Sequence, residues 1–489
     1  MHVVVVGAGV SGLAAALALA RAGSTVTLLE RDDTPLPATA HEAFEWDRSG
    51  APQVRHSHGF LARLRNLLRD RYPDVLAALI AEGATEIRFT DKLPDTLTDR
   101  SHHDGDDDLV GLACRRSTFE WVLRRCVTAE PTVELRHGFG VDELLFADAP
   151  PTGTPTVVGV RGSWADGRAE DLGADVVVAA GGRRAAVPDW LRAGGAGLEE
   201  VVEDTGIVYF SRFFQVRPDA EAPLTAGPTL GDLGWLKFAQ FPGDNGTFSI
   251  TLAIPTGDRD LRARLTDPDT FDRASGALDV VAPWVDPQVV EPITGVHLMA
   301  GLINRRRDFL VDDAPVVLGF HAVGDAHTCT NPLYGRGCSL GMVQAELLAA
   351  AVADHPDDPV ARSVAYEASS RREILPWYDA SVRQDRMSRD QLERNRELRA
   401  APAEEEAATD PADFMRDVMT NGLLPALRVD AVVFRAFLRM FNLLTAPDAL
   451  LTDADVIGRV LAVYGERDGR PPEPSPGPDR ATMLATLDA

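Results

Sequence analysis

The first thirty residues have the hydrophobic pattern of a strand, a helix and a second strand. His2–Val6 is a β-branched run, typical of a strand buried on both faces of a parallel sheet. Leu13–Ala22 contains only Ala, Leu and one arginine, and it predicts a helix that ends at Gly23. Thr25–Leu29 predicts the next strand, which Glu30 closes. Together these segments predict one complete βαβ unit.

Helical and strand-like patterns continue along the chain. Alternation in Val133–Val141 and Thr156–Gly162 predicts an antiparallel ribbon, and Asp175–Ala180 is typical of another buried strand. Residues 205 to 300 are strand-like, most clearly at Phe248–Ile254, which predicts a sheet-based insertion. Apolar residues at helical spacing predict helices at Phe60–Arg71, Val75–Glu82, Leu112–Arg125, Ser339–Ala353 and Val432–Leu444, and along most of the chain after Arg371. The expected fold class is therefore α/β, a Rossmann-like domain interleaved with a β-sheet domain and followed by a helical C-terminal region.

Three segments are poor in residues that could build a core. Leu398–Asp413 is an Ala/Glu/Pro stretch that we expect to be mobile, and the Pro-rich Asp468–Arg480 predicts a disordered tail over residues 468–489. Ser101–Asp108 combines two histidines with four aspartates, but not at the spacing that aims side chains at one metal ion. We expect a solvated turn there and no metal site.

Composition restricts the partners and the compartment. The 489 residues include 49 Lys+Arg and 74 Asp+Glu, a formal charge of −25, so we expect no nucleic-acid partner. The start of the chain lacks the charged n-region of a signal peptide, and apolar runs fall short of the roughly 18 residues of a membrane span. The four cysteines form no C-x-x-C pair and fit a reducing compartment. The expectation is a cytoplasmic protein with no membrane span.

The strongest chemical signal is the glycine-rich sequence GAGVSG between the first strand and the first helix. Gly7 permits the tight turn, Gly9 lets the backbone approach a pyrophosphate, and Gly12 lets the helix pack against the strand. A carboxylate at Glu30 is placed to accept hydrogen bonds from a ribose and disfavours a 2′-phosphate. The predicted dinucleotide-binding residues of this unit are Gly7, Gly9, Val10, Ser11, Gly12 and Glu30.

At this point the chain resembles the FAD-dependent monooxygenase and oxidoreductase superfamily with the para-hydroxybenzoate hydroxylase type of fold. The stretches that carry the resemblance are the GAGVSG unit with Glu30-Arg31, Cys114–Trp121, Asp175–Gly182 with Pro188–Leu191, and Val323–Ala326 followed by Asn331–Cys338. The resemblance implies FAD as the cofactor. It also implies FAD-binding parts at residues 1–90, 91–200 and 306–355, a substrate domain at 201–305 and a helical region at 356–467.

Further cofactor-binding residues follow from the same resemblance. Arg116 corresponds to the family's flavin-contacting arginine, and Asp325 to the aspartate that binds the ribityl hydroxyls. The turn that contains Pro332 corresponds to one that places helix N–H groups beside the pyrimidine end of the flavin. Independently of the resemblance, glycines that open a helix leave N–H groups free to stabilise negative charge on a reduced flavin. These stretches add Arg31, Arg116, Gly324, Asp325, Pro332, Gly335 and Gly337 to the cofactor-binding set.

The loop Gly50–Gly59 resembles a narrower group, the flavin epoxidases of polyether polyketide pathways and related oxidoreductases, which carry G-x-P-Q-x-R-H-x-H. The resemblance places Arg55, His56 or His58 against FAD or substrate, with Arg55 and His58 assigned to the cofactor. The alternative is that the histidines are only hydrogen-bonded loop residues. We expect its Gln53–Gly59 part to belong to the active site, because long loops at the carboxyl edge of a parallel sheet often carry function.

The resemblance implies a monooxygenase that uses O2. It would insert one oxygen atom into an apolar secondary metabolite by epoxidation or hydroxylation, through a flavin C4a-hydroperoxide. Because the cofactor carries the chemistry, the sequence names no catalytic side chain. The alternatives are an FAD-dependent dehydrogenase or reductase acting on a C=C or C–C bond, and a binding protein that has lost its cofactor.

The electron donor is either NAD(P)H or a partner flavin reductase. Ala179–Gly182 departs from the family's pattern in the region that senses NADPH. The W-x-W-x-I-P stretch of the superfamily's halogenases is absent, and Lys92 and Lys237 lie outside any recognisable motif. The sequence therefore disfavours halogenation.

Overall fold

The structure is a computed structural model that describes residues 1–48, 50–150, 153–223, 229–400, 411–470 and 475–488. Most of Leu398–Asp413, which was predicted to be mobile, lies outside these residues.

Most of the predicted strands and helices are present, together with further elements that the sequence pattern did not indicate. The strands are β1 His2–Val6, β2 Thr25–Glu30, β3 Thr85–Arg88, β4 Val110–Ala113, β5 Val133–His137, β6 Phe139–Phe146, β7 Val157–Trp164, β8 Ala169–Gly173, β9 Val176–Ala179, β10 Glu199–Asp204, β11 Ile207–Val216, β12 Leu230–Asp232, β13 Lys237–Pro242, β14 Thr247–Pro255, β15 Val290–Pro292, β16 His297–Met299, β17 Ile303–Asp308, β18 Leu310–Val311, β19 Ala314–Pro315, β20 Phe320–Ala322 and β21 Thr328–Cys329. The helices are α1 Val10–Arg21, α2 Ala40–Phe44, α3 Ala62–Arg71, α4 Pro73–Ala81, α5 Arg116–Ala129, α6 Val187–Ala193, α7 Arg259–Arg264, α8 Pro268–Gly276, α9 Gly337–Asp354, α10 Pro359–Glu373, α11 Leu375–Ala400, α12 Pro411–Val418, α13 Leu424–Val429, α14 Ala431–Phe441, α15 Ala449–Thr452, α16 Ala454–Gly465 and α17 Arg480–Asp488.

A five-stranded parallel sheet in the order β20-β9-β1-β2-β5 forms the centre of the molecule. Both of its faces are covered, as the β-branched run at the N-terminus predicts. Val3 and Val5 pack into a core with helices α1, α5 and α9, whereas Val4 and Val6 pack into a second core beneath β6–β8. This arrangement confirms the predicted Rossmann-like domain.

Two predicted elements differ from the structure. Val133–Val141 is divided, because Val133–His137 is the outermost parallel strand and only the residues after it enter the antiparallel ribbon β6-β7-β8. The helix predicted at Leu112–Arg125 begins at Arg116, because the preceding apolar residues form strand β4, which pairs with β3. A short apolar run does not distinguish a strand from the start of a helix by its period alone.

The predicted insertion is a sheet in the order β12-β13-β14-β11-β15, with β16 also paired to β11. Successive side chains on β11 and β14 point to opposite faces of this sheet. Even-numbered residues such as Phe210 and Leu252 form an apolar core with α7 and α8. Odd-numbered residues, among them Ser211 and Thr251, lie on the other face, which contacts His56 and Ser57 of the Gly50–Gly59 loop.

The C-terminal region is helical, as predicted, but the tail is not disordered where the structure describes it. Helix α17 places Met483, with no exposed surface, and Leu487 in the core of the insertion sheet. Arg480 donates two hydrogen bonds to Asp258 at 2.7 and 2.8 Å. The prediction is therefore wrong for residues 480–488, because two apolar anchors and the ion pairs Arg480–Asp258 and Arg264–Asp488 order a short helix on an existing core. Within the described part of the chain, no helix is long and apolar enough to cross a membrane.

Candidate flavin and substrate site

The glycine turn between β1 and α1 forms an open cradle at the edge of the sheet. Gly7 has a φ of +104°, and a Cβ on Gly12 would lie 1.8 Å from the Gly7 carbonyl oxygen, so the helix begins against the strand. A Cβ on Gly9 would meet nothing within 4 Å. Space beside Gly9 and free N–H groups at the start of α1 fit the pyrophosphate of a dinucleotide.

Val10 and Ser11 hold this helix against the loop that follows β20. Val10 is buried, and a Cβ on Gly324 or on Gly341 would lie 2.2 or 2.3 Å from the Ser11 hydroxyl oxygen. The glycines at these two positions therefore let α1, α9 and the predicted ribityl-binding loop meet. The Gly324 N–H donates to the Gln344 side chain at 2.7 Å.

Glu30 lies at the end of β2, where the sequence predicts it, but it also has protein partners. Its Oε2 accepts hydrogen bonds from Arg48 at 3.1 Å, from the Ala8 N–H at 3.3 Å and from Arg124 at 3.4 Å. Both guanidinium groups lie 4.8 Å from the ring of Trp46. Neither arginine lies in a sequence motif and the two meet only in the fold, so the sequence did not indicate them.

Two neighbouring arginines at the start of α5 have different surroundings. Arg115 is paired at 2.6 Å with Asp244 of the insertion, and both side chains are buried. Burial opposes ionisation of Asp244, but the hydrogen bonds from Arg115 outweigh it and hold the pKa of Asp244 below its usual value. Arg115 therefore ties the insertion to the FAD-binding domain through Asp244, whereas Arg116 has no partner on the insertion among its hydrogen bonds in the described residues.

Arg116 meets His58 at the predicted flavin site. Its Nη1 lies 3.1 Å from His58 Nε2 and 3.7 Å from the Cys338 sulfur, while Nε is buried with no partner in the described part of the chain. Burial first, and the Arg116 cation second, lower the pKa of His58 to about 3. His58 therefore presents a neutral Nε2 that can accept from Arg116. An arginine with an unsatisfied buried N–H fits an acceptor on a bound flavin.

Asp325 lies on a short turn directly after β20, as predicted, at the carboxyl end of the sheet. Its carboxyl group is partly buried, and this burial raises its pKa although nearby arginines act in the opposite direction. Arg305 donates to the Asp325 carbonyl at 2.8 Å, and Arg307 to the Ala326 carbonyl at 2.6 Å. Two buried arginines of β17 thus hold the backbone of this turn, a role that no sequence motif indicated.

The predicted pyrimidine-side turn leads into α9. Gly335 has a φ of +67°, and a Cβ on Gly337 would meet nothing within 4 Å, so the helix begins beside open space. Pro332 is exposed on this turn. The arrangement leaves N–H groups at the start of α9 available to an anionic group, as the sequence predicts.

The insertion sheet presents a polar strip to the Gly50–Gly59 loop. His56 Nδ1 lies 3.3 Å from the Ser211 hydroxyl, Ser211 lies 3.0 Å from Thr251, and Thr251 donates to Ser57 at 2.7 Å. Burial, and secondly His297, lower the pKa of His56 to about 3, so this imidazole is neutral. A cavity between the two domains is lined by His56, His58, Arg116, Phe213, Phe241 and Ser249, among others.

Other predicted residues lie away from the centre of the site. Arg31 is exposed and Arg55 is partly exposed. The acidic turn is not only solvated, since its Asp106 is buried and pairs with Arg435 of α14 at 3.0 Å. Over the described ranges, no group of His, Cys, Asp and Glu side chains could hold a metal ion. Lys237 pairs with Asp232 on the insertion sheet.

A parallel sheet with this glycine turn, an acid at the end of the second strand and an inserted antiparallel sheet defines a dinucleotide-binding α/β protein. A family described as FAD dependent oxidoreductase (DAO) matches residues 2–94. Protein Rv3254 of Mycobacterium tuberculosis (strain ATCC 25618 / H37Rv) is 30% identical over 363 residues, which are 70% of this chain and 71% of that protein. The chain belongs to the FAD-dependent oxidoreductase superfamily that includes the flavin monooxygenases, and it is an FAD-dependent enzyme.

Relatives and solved structures agree with this assignment. Aklavinone 12-hydroxylase DnrF of Streptomyces peucetius is 27% identical over 363 residues, 69% of this chain and 64% of that protein. The structure of the p-nitrophenol 4-monooxygenase PnpA of Pseudomonas putida DLL-E4 matches 91% of this chain and 98% of the PnpA chain, with a TM-score of 0.60 and 18% identity. The structure of the flavin-dependent brominase Bmp2 matches 96% of this chain and 100% of the Bmp2 chain, with a TM-score of 0.57 and 16% identity. These last two likenesses concern the fold alone.

Proposed function

We propose that this enzyme is an FAD-dependent monooxygenase that inserts one oxygen atom, by hydroxylation or epoxidation, into a ring-containing and largely apolar secondary metabolite. The relatives favour this reaction, because DnrF is named as an aklavinone 12-hydroxylase. When bound and reduced, FAD supplies the chemistry by reacting with O2 and delivering one oxygen atom. The polyether-type epoxidation that the Gly50–Gly59 loop suggests is one form of the same proposal.

The observation that carries the proposal is the polar strip of the insertion sheet, which faces the loop predicted to belong to the active site. The hydroxyls of Ser211 and Thr251 and the neutral imidazole of His56 are hydrogen-bonding groups without charge. Phe213 and Phe241 line a small cavity beside this strip, together with His56 and Arg116. Apolar rings beside a few uncharged polar groups are suited to an apolar substrate that carries carbonyl or hydroxyl oxygens.

The protein's own residues have binding and positioning roles in this proposal. The cradle beside Gly9 would receive the pyrophosphate, and Arg116 would donate to the flavin through its unsatisfied Nε. The buried pair of Arg115 and Asp244 would keep the insertion sheet closed over the site and exclude water. His56 would orient an oxygen of the substrate.

The proposal is tested by incubating the purified enzyme with labelled ¹⁸O₂, reduced flavin or NADPH, and two kinds of substrate, an aklavinone-type anthracyclinone and a polyether-pathway polyene. One ¹⁸O atom in the product supports a monooxygenase. A desaturated or reduced product without ¹⁸O supports the dehydrogenase alternative and contradicts the proposal. A brominated product formed in the presence of bromide would contradict both the proposal and the expectation that this enzyme is not a halogenase.

The electron donor is the second part of the proposal. A single dinucleotide fingerprint exists in the sequence and FAD is assigned to it, so NAD(P)H either docks transiently at the flavin or a separate reductase delivers the electrons. Anaerobic mixing with NADPH distinguishes these possibilities. Rapid loss of the flavin absorbance indicates direct reduction, whereas an unchanged spectrum that responds to an added flavin reductase indicates a partner.

His56 offers a test of substrate recognition. We expect His56→Ala to raise KM by about tenfold, roughly 1.4 kcal/mol, with a smaller change in kcat, because the lost hydrogen bond is made to bound substrate. His41 is an exposed histidine outside the predicted cofactor-binding residues, so His41→Ala serves as the matched control. Equal KM values in both variants would remove His56 from the substrate site.

A further inference from the structure

One stripe of the C-terminal helix α11 lies directly behind the pyrimidine-side turn. Trp377, Ser381 and Asp385 are four residues apart and therefore share one face of the helix. All three are buried. This face contacts the turn and not the cavity itself.

The deepest contact of this stripe is the carboxylate of Asp385. It accepts hydrogen bonds from Asn304 Nδ2 at 2.6 Å, Asn331 Nδ2 at 2.8 Å and the Tyr334 hydroxyl at 2.8 Å. These three partners are neutral donors, so the carboxylate form is the one that the arrangement satisfies. Burial raises the pKa of Asp385, and the three hydrogen bonds oppose this rise.

The same network fixes the backbone of the turn. Asn304 accepts from the Asn331 N–H at 2.8 Å, and Asn331 accepts from the Leu333 N–H at 3.0 Å. Arg336 is buried, donates to Ser381 at 3.1 Å, and has its guanidinium 4.8 and 5.0 Å from the Tyr334 and Trp377 rings. The turn that precedes the N-terminus of α9 is thus held from behind by one helix.

We infer that Asp385 is a positioning residue for the flavin, which holds the 331–337 turn in place and whose negative charge lowers the flavin reduction potential. The inference rests on the assignment of this turn to the pyrimidine end of FAD. A fixed negative charge near that end disfavours the anionic reduced flavin, and loss of the charge favours it. This role belongs to the C-terminal region, outside the three segments predicted to bind FAD.

Asp385→Asn and Tyr334→Phe separate the two effects, and Asp390→Asn, an exposed position on α11, is the matched control. Each variant is purified as holoenzyme, and its flavin reduction potential and FAD dissociation constant are measured. We expect Asp385→Asn to have a more positive potential and a dissociation constant raised by about tenfold. Tyr334→Phe keeps the charge, so we expect weaker FAD binding with the parent's potential.

The inference would be overturned if Asp385→Asn had the same reduction potential as Asp390→Asn. It would also be overturned if Tyr334→Phe shifted the potential as much as Asp385→Asn does. If Asp385→Asn does not retain FAD, Asp385→Glu is measured in its place. Glutamate keeps the negative charge on a side chain one methylene longer, so this variant should have the parent's reduction potential. Failure of Asp385→Glu to do so in a folded protein also contradicts the inference. These measurements need no substrate, so they remain valid if oxygen insertion is disproved.

Discussion

The same substitution at two glycines of one turn should affect two different properties. Gly9 and Gly12 lie three residues apart, but a Cβ on Gly12 would lie 1.8 Å from the Gly7 carbonyl oxygen, whereas one on Gly9 would meet nothing within 4 Å. We therefore expect Gly12→Val to destabilise the fold. We expect Gly9→Val to leave the fold intact and to block the cofactor.

The magnitudes follow from these surroundings. Overpacking against backbone costs about 1–3 kcal/mol, and valine's better helix propensity returns about 0.5 kcal/mol at most. We expect the free energy of unfolding of apo Gly12→Val to fall by about 2 kcal/mol. Gly9 has extended backbone with a φ of −79°, which valine adopts easily, so apo Gly9→Val should stay within about 1 kcal/mol of the parent.

Urea unfolding of the apoproteins measures the first effect, and titration of FAD by fluorescence quenching measures the second. In Gly9→Val the dissociation constant for FAD should rise by at least about tenfold, or roughly 1.4 kcal/mol. A folded Gly9→Val that binds FAD as tightly as the parent would refute the placement of the pyrophosphate. Parental stability in Gly12→Val would refute the packing argument.

Three further predictions concern the ion pair, a buried histidine and the tail. Arg115→Ala should lower the free energy of unfolding by about 3–5 kcal/mol because it leaves Asp244 buried and unpaired. Arg116→Ala should mainly weaken FAD binding. Urea unfolding and FAD titration of both variants check this contrast. Burial lowers the pKa of His321 to about 3, so between pH 6.5 and pH 3 the unfolded chain binds a proton that the folded chain does not. As the pH is lowered through this window, the free energy of unfolding therefore falls by about 1.4 kcal/mol per pH unit. His321→Gln should lessen this slope in unfolding curves at pH 7, 6 and 5, and an unchanged slope would contradict the assignment. Deletion of residues 480–489 should cost about 3–5 kcal/mol through lost apolar burial, measured as an earlier thermal transition, while the FAD dissociation constant stays unchanged.

Local patterns predicted the elements that depend on local sequence. The valine run of β1, the glycines before α1 and the alternation at Phe248–Ile254 each reflect a constraint that neighbouring residues impose. These constraints are steric or periodic, so they are visible without the fold. The same reasoning placed Glu30 and Asp325 at the carboxyl ends of parallel strands, where the structure has them.

Partners that are distant in the sequence were not predictable. Arg115 and Asp244 are 129 residues apart, and nothing in either neighbourhood marks them as a pair. Arg48 lies in a polar loop without periodicity, yet it reaches the carboxylate of Glu30. The described end of the tail was misjudged because composition predicts whether a segment can fold alone, not whether an existing core will accept it.

The insertion sheet shows how one periodicity can produce both stability and a binding surface. Apart from Arg212, its even-numbered residues on β11 and β14 are apolar and pack against α7 and α8, and this packing determines which face is buried. The odd-numbered residues Ser211 and Thr251 must then face the FAD-binding domain. There they meet His56, and their hydrogen bonds satisfy polar groups that would otherwise be buried without partners. A shift of one residue in register would bring Phe210 and Leu252 to this face and the hydroxyls of Ser211 and Thr251 into the core. The polar character of the proposed substrate site is thus a consequence of the same alternation that folds the insertion.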